Sequence, residues 1–167
     1  MFNQLTQKDI DDMTREIEER KVVIRPKLLE AVKEARAHGD LSENFEYYAA
    51  KKEKNANESR IRFLERMIKT AEVIDDTSAD DEVGINDTVR VLFIEDNEED
   101  SFTIVSTMRG DSLNNLITIE SPIGKALLGH KAGDEVSVKV NADYSYMLRI
   151  LSIDKNDAGK EARLRSF

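Results

Sequence analysis

The sequence predicts an α+β chain: an antiparallel α-helical coiled-coil hairpin followed by an antiparallel β-sheet domain with one short helix. Three observations lead there. Apolar residues recur in steps of three, four and seven from Ile10 to Ala35, and a second heptad-spaced seam, small or polar in its first half and apolar in its second, reaches Ala71. Short alternating runs replace them after position 88. Between the two lies an acidic, polar stretch, Asp75-Asp76-Thr77-Ser78-Ala79-Asp80-Asp81-Glu82, with the composition of a linker. The expected domains are residues 1–75, a linker at 76–82, and residues 83–167.

The first helical seam runs Ile10, Met13, Ile17, Ile24, Leu28, Val32, Ala35. Thr6 is the expected N-cap, with Asp9 three residues later in an acidic first turn. Pro26 falls inside the pattern and should kink or split the helix near Arg25. His38-Gly39 ends it, glycine supplying the left-handed cap. The second helix should begin near Ser42 or Asn44 and reach Ala71, with a seam of Tyr48 or Ala49, Lys52, Ala56, Ser59, Phe63, Met67 and Ala71. A short loop between two such helices implies antiparallel neighbours.

In the second half, Thr88–Ile94, Ser101–Met108, Leu116–Glu120, Glu135–Val140 and Ser145–Ile153 read as strands, and Asp96–Asp100 as a hairpin loop. Ser121-Pro122 opens a short helix, Ser as N-cap and Pro in the first turn, and Gly129 closes it. The polar stretch from Asn156 to Phe167 is expected to fray.

The chain has 167 residues, 40% hydrophobic and 35% charged, a net charge of −9 and no cysteine or tryptophan. Disulfides, thiolate metal sites and thiol nucleophiles are therefore excluded. With no signal-like start and no long apolar run, a cytoplasmic protein with no membrane partner is expected. Residues 1–75 hold 15 Lys+Arg against 16 Asp+Glu, and the remainder 10 against 18. The acidic second half argues against broad duplex-DNA binding there, so polyanion contacts should come from the first.

The run Gly39-Asp40-Leu41-Ser42-Glu43-Asn44-Phe45-Glu46-Tyr47 falls at the turn of the hairpin. Two carboxylates three residues apart, Asp40 and Glu43, could converge on one hard cation. Mg²⁺ takes one or two protein carboxylates and keeps its waters, so this pair is too sparse to hold it alone. It could lend ligands to a metal partly held elsewhere. On spacing alone a capped turn explains the acids as well: Asp40 or Ser42 would cap the second helix, with Glu43 and Glu46 near its positive end. Arg36 and His38 before the turn, and Lys51, Lys52 and Lys54 after it, form a basic collar. That collar could grip a phosphate backbone or be a solvated coiled-coil surface. Among Phe45, Tyr47 and Tyr48, one or two should pack the hairpin's end, and Tyr47 could instead stack on a base. The chain offers no Gly-rich nucleotide loop, no His pair at metal spacing and no Ser-His-Asp set; with only His38 and His130, a self-sufficient enzyme is not expected.

These residues together resemble the bacterial Gre transcript-cleavage factors of RNA polymerase. Arg25-Pro26, Ala31 through Tyr47, Ala49-Ala50-Lys51, Glu58-Ser59-Arg60-Ile61 and Ala71–Asp75 carry the resemblance in the first half. Ser121-Pro122-Ile123-Gly124-Lys125-Ala126-Leu127-Leu128-Gly129 and Gly133-Asp134 carry it in the second. The resemblance implies an FK506-binding-protein-like second domain that docks on polymerase, with Ser121, Pro122, Gly124 and Lys125 as its docking residues. It implies a coiled coil that enters the secondary channel, where Asp40 and Glu43 help hold Mg²⁺ in the polymerase active site while the isolated protein binds none stably. Arg36, Asn44, Tyr47, Lys51 and Lys52 would contact the channel and the nascent RNA 3′ end. The factor would act as a monomer, stimulating polymerase to cut backtracked RNA without being an enzyme itself. A regulator that occupies the channel without cleavage is the alternative, and a coiled-coil adaptor or chaperone a more distant one. The chain departs from the family pattern in having Asp9 for glycine, Val105-Ser106 for Val-Gly, Arg109-Gly110 for Glu-Ala, Asn141–Tyr144 for a Pro-Gly turn, and a tail beyond Ile153. Prolyl isomerase activity is not expected, because Phe93, Phe102, Tyr144 and Tyr146 are few and do not predict a walled pocket.

Overall fold

The computed structural model describes residues 3–39 and 44–166 and resolves into two compact units, a helical hairpin and a sheet domain with one short helix. The hairpin unit is Ile10–Ala71; the sheet unit takes residues 72–166 together with the N-terminal residues up to Asp9. In chain order the elements are β1 (Gln4–Leu5), α1 (Gln7–Glu19), a π-helical segment (Arg20–Ile24), α2 (Arg25–Ala37), α3 (Phe45–Lys69), β2 (Glu72–Val73), β3 (Thr88–Phe93), β4 (Glu98–Val105), β5 (Leu116–Thr118), α4 (Pro122–Leu127), β6 (Glu135–Lys139) and β7 (Ser145–Asp154).

Thr6 caps α1 as its position suggests. The Asp9 N–H donates to Thr6 Oγ1 at 3.1 Å and the Thr6 N–H donates back to Asp9 Oδ2 at 2.9 Å, a reciprocal box. Pro26 divides the first helix near Arg25, and the division takes the form of a π turn. The Arg25 N–H bonds Arg20 O, five residues back, and Pro26 sits in the first turn of α2. The wider turn accommodates a residue that lacks an N–H and whose ring crowds the preceding turn.

The first seam is as read: Met13 and Ala35 are buried, and Ile10, Ile17, Ile24, Leu28 and Val32 are half-buried. The second seam holds only in its base half, where Phe63, Met67 and Ala71 are half-buried. Tyr48, Lys52, Ala56 and Ser59 are exposed, whereas Tyr47, Asn57, Arg60, Ile61 and Leu64 are buried. The polar residues explain the difference. Glu16 accepts from Arg60 Nε (2.7 Å) and Nη2 (3.2 Å) and from Arg20 Nε (2.7 Å), and Arg20 Nη1 donates to Asn57 Oδ1 at 2.9 Å. Charged and amide groups enter a helix seam when each finds a partner there.

That network makes the hairpin sensitive to acid. Burial raises the pKa of Glu16, but hydrogen bonds and charge from Arg60 and Arg20 outweigh it and leave the group below the ordinary 4.5. A depressed carboxylate pKa contributes stability that is complete above the unfolded value and is lost as pH falls through the folded one. The stability difference between the natural chain and Glu16→Gln should therefore shrink as pH drops below 4.5. Denaturation midpoints across that range check it, and a pH-independent difference would refute it.

The sheet order is β5-β4-β3-β7-β6. The expected all-antiparallel sheet is in fact mixed: β5 runs parallel to β4, pairing Thr103 with Leu116 and Val105 with Thr118. Parallel neighbours need a crossover, and residues 106–115 supply it through two 3₁₀ turns, Thr107–Arg109 and Ser112–Asn114. Val89, Val91, Ile104, Val136, Val138, Leu148 and Ile150 form one core with Leu127 of α4. Ser121 Oγ accepts from the Gly124 N–H at 3.0 Å and donates to Thr118 O at 2.7 Å, fixing the start of α4. Gly124 must lack a side chain, because a Cβ would lie 2.0 Å from Thr118 O.

Two stretches read as loose are held. Lys155 Nζ donates to Ser78 Oγ (2.8 Å) and Glu82 O (2.8 Å) and pairs with buried Asp87 at 2.7 Å, gathering the acidic run onto the sheet unit. The C-terminal segment, expected to fray, forms a 3₁₀ turn at Ala158–Glu161, and the Arg165 N–H bonds Met108 O at 2.6 Å. Gly159 is buried against Asn86, where a Cβ would stand 2.5 Å from Oδ1. Close backbone approach, which composition does not reveal, fixes this segment.

Candidate functional site

Asp40 and Glu43 lie outside the described residues, with Leu41 and Ser42 between them. The described flanks bound what those acids have to do. α2 ends with the His38 N–H bonded to Ala35 O at 3.2 Å, and Gly39 has φ +133°, a conformation that suits glycine. α3 is capped by Asn44, not by Asp40 or Ser42. Asn44 Oδ1 accepts from the Tyr47 N–H at 3.0 Å, and Nδ2 donates to Ala35 O at 2.6 Å. One amide thus caps α3 and satisfies a carbonyl at the end of α2. Glu46 occupies the first turn, 3.3 Å from His38 Nδ1. Asn44→Ala should destabilise the hairpin by about 1 kcal/mol, within the 0.5–2 kcal/mol typical of caps. Chemical denaturation checks it, and an unchanged midpoint would show the cap to be dispensable.

Two members of the basic collar, Arg36 and Lys51, meet at Tyr47. Its ring is buried, Arg36 lies 5.4 Å from the ring centroid, and Lys51 Nζ lies 6.0 Å from it on a second approach. Arg36 Nη2 also donates to the phenol oxygen at 3.3 Å. That hydrogen bond holds the phenol below its usual pKa against burial, and Lys51 adds to the effect. Arg36 and Lys51 thus share one aromatic platform across the hairpin. Lys52 is exposed beside them. Of the three aromatics here, Tyr47 packs, Tyr48 stays half-exposed with its ring 5.6 Å from that of Tyr47, and Phe45 is 84% exposed. Phe45 opens α3 as an exposed aromatic, and residue type alone does not tell which of the three is left out.

In the sheet unit Ser121 and Gly124 shape the turn into α4, while Pro122 and Lys125 are exposed on it. The aromatics of this unit are not scattered. Phe93, Tyr144 and Tyr146, with Glu95, Asp96 and Met147, line a notch of about 180 Å³. The four expected to form no walled pocket thus gather into a cluster, because Phe93 on β3 and the start of β7 are neighbours in the sheet. Among the described residues no group of three or more His, Asp or Glu is placed to hold a metal ion, and no helix is long and apolar enough to cross a membrane.

Comparison with known proteins covers both units. Residues 3–73 match the family model described as transcription elongation factor, N-terminal, and residues 78–155 match transcription elongation factor, GreA/GreB, C-term. The chain is 48% identical over 152 residues to the transcription elongation factor GreA of Thermoanaerobacter pseudethanolicus, covering 90% of this chain and 96% of that one. It is 43% identical over 154 residues to GreA of Streptococcus agalactiae, covering 92% and 96%. Among solved structures it is similar to the GreA factor homolog Gfh1 of Thermus thermophilus, at 26% identity, TM-score 0.41, covering 90% of this chain and 97% of that chain.

Proposed function

The chain belongs to the GreA/GreB family of transcription elongation factors, and from that premise we propose that it stimulates RNA polymerase to cleave backtracked RNA. The observation that carries this reading is Asn44 in the cap of α3. Capping was the ordinary duty open to Asp40 and Ser42, and another side chain performs it. With Asn44 as the cap of α3, capping does not account for Asp40, and an acid pair in the turn of a hairpin is suited to a partner's metal. α3 alone, 25 residues long, spans about 37 Å at 1.5 Å per residue, a length suited to reaching into a channel.

In this reading Asp40 and Glu43 lend carboxylates to Mg²⁺ in the polymerase centre, and neither acid holds the ion without polymerase. When bound there, Mg²⁺ supplies the activation of water and the charge stabilisation that phosphodiester hydrolysis needs. Arg36 and Lys51, held on Tyr47, and Lys52 beside them meet RNA phosphates. Asn44 and Tyr47 act on the channel by setting the shape of the hairpin's end. Pro122 and Lys125 contact polymerase, on a turn that Ser121 and Gly124 shape. The chain works as a cytoplasmic monomer, and bond breaking belongs to polymerase.

The test adds the full chain to a stalled, backtracked polymerase complex with Mg²⁺ and follows the RNA 3′ end. The expected result is a shortened transcript that then resumes extension. Binding with no shortening would replace this reading with that of a channel-occupying regulator.

A further inference from the structure

Phe93, Phe102, Tyr144 and Tyr146 form a continuous aromatic path from core to surface. Phe102 is buried and meets Phe93 edge-on at 6.3 Å between centroids. Phe93 stacks with Tyr146 at 5.9 Å and an interplanar angle of 27°. Tyr146 lies 6.0 Å from Tyr144, which is 51% exposed. Burial, and then the neighbouring Tyr144, push the Tyr146 phenol above its usual pKa, so the ring stays neutral.

Carboxylates stand at the rim of this path. Glu95 and Asp96, in the turn between β3 and β4, line the notch with the aromatics and Met147. Among the described residues, neither carboxylate has a hydrogen-bond or ion-pair partner from another side chain. The basic residues of the adjoining strands are already engaged: Arg90 with Glu99 at 2.5 Å and Arg149 with Glu135 at 2.7 Å. Lys139 lies opposite Ser145 in the β6–β7 register and does not line the notch.

We propose that this notch receives one cationic side chain, an arginine or lysine, from a partner protein. Aromatic faces present negative charge density to a cation, and unpaired carboxylates at the rim add to the attraction. A volume of about 180 Å³ suits a single side chain, being smaller than the roughly 300–1,000 Å³ of pockets that enclose a whole small-molecule ligand. A neutral side chain would fill the aromatic part and leave both carboxylates unused. The proposal does not rest on RNA cleavage, and a failure of either leaves the other standing.

The experiment titrates the full chain with capped Gly-Gly-Xaa-Gly-Gly peptides, Xaa being arginine, lysine, norleucine or proline, and follows backbone amide NMR shifts. The expected result is saturable shifts at Glu95, Asp96, Tyr146 and Met147. The arginine or lysine peptide should bind about tenfold more tightly than norleucine and lose affinity as salt rises. Glu95→Gln with Asp96→Asn should remove that preference, and Tyr144→Ala should weaken binding several-fold while the melting temperature, measured alongside, stays near that of the natural chain. Equal binding of norleucine, tighter binding of proline, shifts spread diffusely over the acidic surface, or no binding by any peptide would each overturn the proposal.

Discussion

Replacing Asp40 and Glu43 together by alanine is expected to remove most of the proposed stimulation of RNA cleavage while leaving the chain folded. A metal ligand set contributes several kcal/mol to the stabilised charge of phosphodiester hydrolysis. Losing two ligands should slow cleavage by on the order of 100-fold or more, since each factor of ten corresponds to about 1.4 kcal/mol. Stability should change by no more than about 0.5 kcal/mol, as for surface sites without a special role, because the cap of α3 is Asn44 and remains in place. The double variant and Asn44→Ala thus separate the two duties: the first loses cleavage with an unchanged melt, the second loses stability. Cleavage by the double variant at the natural rate would end the metal-ligand reading. A matching collapse of its melting curve would assign the acids to the fold.

The second large effect is expected at a place with no part in RNA chemistry. Arg109→Ala should destabilise the sheet unit by about 3–5 kcal/mol, the cost of leaving one partner of a buried ion pair alone. Arg109 Nε bonds Asp9 Oδ1 at 2.5 Å, with side-chain exposures of 4% and 1%, and Arg109 Nη1 donates to Ala162 O at 2.5 Å. The same guanidinium therefore secures the start of α1 and the C-terminal segment. Asp9 and Arg109, a hundred residues apart in the chain, are joined by this pair. The double variant Asp9→Ala, Arg109→Ala should lose less than the sum of the Asp9→Ala and Arg109→Ala losses, because no buried charge is left unpaired. Thermal melts of the three variants measure this, and strictly additive losses would show that the two residues act independently.

The helical hairpin was legible because periodicity and punctuation are local signals. The α1 seam, the Thr6 box, the interruption at Pro26, the Gly39 stop and the Ser121-Pro122 helix start each depend on residues within a turn or two of one another. The first half of the α3 seam was misplaced because Asn57 and Arg60 are polar, and only Glu16 and Arg20 across the hairpin make them buried residues. The candidate site divides in the same way. Asp40, Glu43 and the basic collar stand out by residue type, whereas the cap on Asn44 and the Arg36–Tyr47–Lys51 platform depend on side chains meeting across two helices.

By itself, then, the sequence determined the α+β division, most strand positions, the helix caps other than that of α3, and the family with its acid pair. Tertiary structure decided the parallel β4–β5 pairing, the β1–β2 pair, the anchoring of the acidic run by Lys155, the docking of the C-terminal segment through Gly159 and Arg165, and the gathering of Phe93, Tyr144 and Tyr146 around one notch. The physical reason is range. Propensity, capping and alternation act between neighbours in the chain. A buried ion pair, a parallel strand or a glycine beneath a distant backbone gains its energy only when segments far apart in sequence are brought together, and no local pattern records that meeting.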